Sequence, residues 1–192
     1  MVRALFKKVT SSMWLDVFIP TIDSYSKSMQ LVAGASLGAL AAILQSAGIF
    51  TGVGYIFSMM STAPIVLACL LSMNIGVMTY FLTILLVAIL QPTELFIFMF
   101  TTGLLGLSLG FSMKYLRRNI LIIAFSTITL TIGISILLYG IKFAILGPSI
   151  TTKISPTVIL GTFAFSLLYS WIWKKVCISI FRFIHTFVNH KK

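Results

Sequence analysis

Residues 91–118 read QPTELFIFMFTTGLLGLSLGFSMKYLRR, and this stretch decides the fold. No charged residue lies between Glu94 and Met113, and the run closes on Lys114, Arg117 and Arg118. A helix needs about 20 predominantly apolar residues to cross a bilayer. The segment 94–113 therefore predicts a membrane span, opened by Gln91-Pro92-Thr93 with Thr93 as its N-cap and closed by a basic cluster. The same criterion applied outward finds five more spans. Four are 30–50, 53–73 with Pro64 inside it, 75–91 and 119–141, and the sixth ends at Trp171-Ile172-Trp173-Lys174-Lys175. That aromatic-then-basic boundary fits a membrane interface.

Composition agrees. A chain of 192 residues with 59% apolar and only 9% charged residues, and a mean hydropathy of +1.10, lacks the polar surface to clothe a water-soluble domain. The expected class is an all-α integral membrane protein, a six-helix transmembrane bundle with amphipathic interfacial helices at both ends. Its parts are an N-terminal segment 1–28, a transmembrane domain 29–173 and a basic C-terminal helix 174–192. The first run stays as an anchor rather than a cleaved signal peptide, because about 28 residues precede it and five spans follow.

The net charge of +11 is read as topology rather than nucleic-acid binding, because the basic residues sit between and beyond the apolar runs. With the N-terminus inside, every Lys and Arg of the 14 except Lys142 and Lys153 falls on the cytoplasmic side. This predicts a multi-pass protein of the cell membrane with both termini cytoplasmic. Near the start, Val2, Leu5, Phe6, Val9 and Met13 share one helical face opposite Arg3, Lys7, Lys8 and Ser11, until Pro20. At the end, Trp173, Val176, Cys177, Ile180, Phe181, Ile184, Phe187 and Val188 form an apolar stripe. Lys174, Lys175, Arg182, Thr186 and Asn189 face water or anionic headgroups.

Chemistry-bearing motifs are scarce. His185 and His190 are offset by five, which does not stack two ligands on one helical face, and Cys69 and Cys177 are far apart on this topology. No metal, disulfide or cofactor is expected. The chain has no HExxH, no paired carboxylates, no nucleophile with a His partner and no phosphate loop, so no enzyme is expected.

Two features carry functional expectations. Gly34/Gly38/Ala42 and Ala35/Ala39 form ridges at four-residue spacing in the first span, and small ridges let membrane helices approach closely. They serve either packing inside the bundle or docking of a second membrane subunit, which makes Gly34, Ala35, Gly38 and Ala39 the candidate partner-helix interface. Gly103, Gly106 and Gly110 are assigned to internal packing. Glu94 is the one acidic residue near hydrocarbon depth. It either complements the helix N-terminus or lines a solute pocket, with Gln45, Tyr55, Gln91, Tyr139 and Lys142 sharing the outer half. Asn74 and Gly76 are expected to make the turn between spans two and three. Pro64 is expected to kink or break span two, which would leave 55–63 an irregular segment covering the outer half.

The order of these features resembles a known family. The Ala/Gly-rich first span running into Gln45-Ser46-Ala47-Gly48, the Pro64 segment, Asn74-Ile75-Gly76, and Thr102-Gly103-Leu104-Leu105-Gly106-Leu107-Ser108-Leu109-Gly110 before Lys114 and Arg117-Arg118 resemble the substrate-binding S components of energy-coupling factor (ECF) transporters. The likeness covers mainly residues 29–118. It implies a bundle that binds a vitamin or micronutrient on the outer side and partners a transmembrane coupling subunit and two ATPases. The family's small-residue docking motif maps onto Ala35 and Ala39, and no substrate signature of the family is present. The structural alternative is a non-catalytic scaffold or assembly protein acting through helix contacts and lipid headgroups. A lipid-handling enzyme would need a buried acid, base or nucleophile.

Overall fold

The structure is a computed structural model. It describes residues 26–50, 52–116, 118–142 and 156–189, with side chains through Ile180. The N-terminal segment 1–25, Lys153, and the side chains of His185 and His190 lie outside the described residues.

Helix α1 (Lys27–Ser46) starts where the Ser26 hydroxyl accepts from the Met29 amide at 3.3 Å, an N-cap. A 3-10 turn at Ala47–Ile49 extends it. Gly52, at φ +75°, turns the chain into α2 (Val53–Met60). A one-residue interruption at Ser61 separates α2 from α3 (Thr62–Leu71). Pro64 sits in the first turn of α3 and has no N–H for the carbonyl four residues back, so the helix breaks ahead of it. The irregular stretch expected at 55–63 thus shrinks to Ser61.

Ser72, extended at φ −159° and ψ 143°, makes the turn into α4 (Met73–Leu90). Asn74 and Gly76 lie inside α4, not in the turn. Gly76 is there for closeness, because a Cβ would stand 2.4 Å from the Cys69 sulfur. The next span is α5 (Pro92–Ile97), a π turn (Phe98–Thr102) and α6 (Gly103–Tyr115) in one continuous rod. It starts after Gln91 with Pro92 at the first helical position, where a missing N–H costs nothing. Thr93 is therefore in the first turn and not the cap. Helix α7 (Asn119–Ser135) ends in a second π turn (Ile136–Gly140), and α8 covers Pro156–Asn189.

The described residues contain no strand, and six helices are long and apolar enough to cross a membrane: Lys27–Ile49, Val53–Leu71, Met73–Leu90, Pro92–Tyr115, Asn119–Gly140 and Pro156–Ile180. These are spans one to six. Large apolar side chains crowd the outside, with Ile89 79% and Ile120 81% exposed. In a water-soluble protein that surface would be a liability, and in lipid it is the solvated face.

Span one packs on span three, spans two and four face each other, and span five links four to six. Two apolar clusters result. One joins Val66 and Leu70 to Leu105 and Leu109, to Ile122 and Leu130, and to Trp173 and Cys177. The other joins Ala41, Ile65, Cys69, Tyr80 and Phe98. Helix α8 passes Trp173 and Lys174 without a break, and both are buried there. The next residue, Lys175, sets its ammonium 3.6 Å from the centroid of the Trp171 ring. Lys27, Lys114, Arg118, Lys174 and Lys175 thus lie toward one end of the bundle, the basic end.

Candidate functional site

Gln45, one turn before the end of span one, is fully buried. Lipid and packed apolar groups offer its amide nothing, so its four hydrogen-bonding positions need protein partners. It finds all four. Its Nε2 donates to Ser58 Oγ at 2.8 Å and to Glu94 Oε2 at 2.9 Å. Its Oε1 accepts from Ser61 Oγ at 2.8 Å and from Thr102 Oγ1 at 2.8 Å. One amide therefore ties span one to both halves of span two and to span four.

The elements around it explain why these hydroxyls converge. The break at Ser61 turns Ser58 and Ser61, three residues apart, onto the same side. Thr62 follows and donates to the Thr102 carbonyl at 3.2 Å. The π turn in span four adds one residue to a helical turn, which re-aims Thr102 toward Gln45. Its backbone is also claimed by neighbours. Tyr80 donates to the Met99 carbonyl at 2.8 Å, and Gly133 of span five lies so close to the Phe100 carbonyl that a Cβ would stand 2.1 Å away. Thr101 closes locally by donating to Ile97.

Glu94 supplies the charge. It is 8% exposed and its carboxyl lies over Gly48, where a Cβ would be 2.8 Å from the carboxyl carbon. Only glycine leaves room for it there. No described Lys or Arg forms an ion pair with it, and its neutral donor is Gln45. The group lies at the end of the bundle away from the basic residues. At 1.5 Å per residue, Gln45, Ser61 and Thr102 sit about 6 to 15 Å in from the ends of their spans.

Of the six residues expected to share a pocket, the structure brings together two, Gln45 and Glu94. Gln91 is nearby in sequence but hydrogen bonds to Thr93 at 2.8 Å near the surface. Tyr55 is 53% exposed on the outer face of α2. Lys142 is exposed, at φ 58°, beyond the second π turn. Tyr139 packs against the other apolar cluster, and its buried hydroxyl has no hydrogen-bond partner. Tyr55 thus faces outward, Lys142 lies past the end of span five, and Tyr139 belongs to the cluster around Trp173. Sequence reasoning missed Ser58, Ser61, Thr62 and Thr102. The signal for the first three was the Ser-x-x-Ser-Thr run ahead of Pro64.

The small ridges of span one divide. Gly34 and Gly38 are buried against span three, where Thr79 and Thr83 donate to their carbonyls at 3.1 and 3.2 Å. They are thus taken up inside the bundle and removed from any partner interface. Ala35 and Ala39, one residue further around the helix, are exposed. Gly106 and Gly110 pack on span two, as expected for internal contacts.

No family model, no curated protein and no solved structure matches the chain.

Proposed function

We propose that this chain is the solute-binding subunit of a membrane transporter, of the kind that the S components of ECF transporters represent. The observation that carries the proposal is the buried carboxylate–amide–hydroxyl group at Glu94, Gln45, Ser58, Ser61 and Thr102. An ionisable side chain inside a membrane bundle is costly, and in such proteins it marks a solute or ion path. On this reading the group faces the outer side, a small solute of the vitamin or micronutrient class competes for its hydrogen bonds, and the chain itself catalyses nothing. Energy would come from partner ATPases through a coupling subunit, and the exposed Ala35/Ala39 ridge is the surface for that subunit.

One observation favours the scaffold reading. The Gln45 amide is saturated by protein groups, as a purely structural lock would be. The two readings separate in one experiment. The tagged protein is purified from its native membrane in mild detergent beside an Ala35→Leu/Ala39→Leu variant, and co-purifying proteins are identified by mass spectrometry. Recovery of a membrane coupling subunit with ATPases, lost in the variant, supports transport. A clean preparation without them supports the scaffold.

A further inference from the structure

Resting on that solute-binding reading, we infer that the Gln45–Glu94 group receives a positive charge, carried by an alkali-metal ion or by a protonated or quaternary nitrogen of the solute. Glu94 is buried, and its partner Gln45 is neutral. The other groups are hydroxyls at Ser58, Ser61, Thr62 and Thr102, which bring oxygen lone pairs. A buried carboxylate among neutral dipoles lacks the counter-charge that its burial calls for.

The described basic residues do not supply it. Lys27, Lys114, Arg118, Lys174 and Lys175 belong to the opposite end, and Lys142 is exposed and forms no ion pair among the described residues. An anion would meet the carboxylate with no described basic side chain to offset the repulsion. A neutral solute would leave the charge uncompensated. Where Glu94 is ionised, a cation meets its charge and several hydroxyl oxygens, the ligand set that alkali ions and substituted ammonium groups share. The Gln45 Nε2 group, 2.9 Å from Glu94 Oε2, occupies the position that a ligand N–H or metal ion would take. A turn of the amide would then present its carbonyl to the incoming charge. Gly48 keeps the carboxyl free of a side chain on the side of the short 47–52 connection.

The test uses the full chain in detergent, with Glu94→Gln and Glu94→Asp beside it. One arm compares thermal unfolding in sodium chloride with that in N-methylglucamine chloride at equal ionic strength. The other identifies small molecules released on denaturing the purified proteins. A sodium-dependent rise in Tm of about 5 °C or more that Glu94→Gln abolishes assigns the charge to a metal ion. An organic cation released by the native protein and absent from Glu94→Gln assigns it to the solute. Release of a neutral or anionic compound from both proteins overturns the charge inference and leaves the solute-binding reading standing. No response in either arm overturns both. Should Glu94→Gln fail to elute as a single species, Glu94→Asp carries the comparison: it keeps the charge but draws it back by one methylene. Its affinity for the ion or compound must then fall at least tenfold, and an unchanged affinity overturns the inference.

Discussion

Replacing Gln45 with Leu keeps a side chain of comparable size and removes all four of its hydrogen bonds at once. The bond to the carboxylate contributes about 2 kcal/mol as a charge-assisted interaction. Each bond to a hydroxyl contributes about 0.6 kcal/mol, the average for interhelical bonds in membranes. Ser61 and Thr102 recover part of this by turning to carbonyls of their own helices. The net loss should be about 3 kcal/mol, most of it from leaving Glu94 buried and unpaired. That origin makes a second, sharper prediction. Replacing both residues, as Gln45→Leu/Glu94→Leu, removes the stranded charge along with its partner, and such paired replacements are close to neutral. The double variant should lose about 1 kcal/mol or less. The assay is reversible unfolding in mixed micelles of dodecyl maltoside and dodecyl sulfate, followed by far-ultraviolet circular dichroism across the four-member cycle. A coupling energy of about 2 kcal/mol is expected. Additivity within about 0.5 kcal/mol would refute the claim that Gln45 and Glu94 form one unit.

In span one, Gly34→Val should destabilise by about 1 to 3 kcal/mol, because a Cβ there meets Ile75 at 2.5 Å. Ala35→Val, one residue on but exposed, should stay within about 0.5 kcal/mol in the same unfolding assay. Gly110→Ala puts a Cβ 2.4 Å from the Cys69 Cβ and should lower stability by about 1 to 3 kcal/mol by forcing spans two and four apart. Gly48→Ala drives a methyl against the Glu94 carboxyl, so repeating the Gln45/Glu94 cycle in that background should show the coupling reduced by half or more.

The six apolar helices were legible because lipid imposes a plain rule of length and polarity; the bounds of the first five moved by only a few residues, whereas the sixth runs on past Trp173 to Asn189 without the expected division. Gln45 and Glu94 were legible for the same reason: an amide and a carboxylate are conspicuous inside such runs. The hydroxyls were not, because Ser and Thr in membrane helices commonly bond back to their own backbone. Thr83, Thr129 and Thr131 do so in this bundle. What selects Ser61 and Thr102 is local backbone geometry, the break before Pro64 and the π turn at Phe98–Thr102, and the π turn has no periodicity that a sequence displays. Tyr139 is drawn into the cluster around Trp173, and Lys142 falls past the end of span five, neither of which spacing in the sequence displays. Asn74 and Gly76 misled because turn formers also suit tight helix contacts, and in Gly76 the contact with Cys69 won.

In the proposed orientation the basic end of the bundle is cytoplasmic and the Gln45–Glu94 group lies toward the other side. Thr93 is exposed beside Glu94, and Arg118 is exposed at the basic end, whereas the native Cys69 and Cys177 are buried. Labelling Thr93→Cys and Arg118→Cys with a membrane-impermeant maleimide in intact cells therefore reads the sidedness directly. The account predicts that position 93 reacts in intact cells and that position 118 reacts only after permeabilisation. Reaction at 118 with protection at 93 would invert the topology, and reaction at both in intact cells would contradict a bundle that crosses the membrane between them.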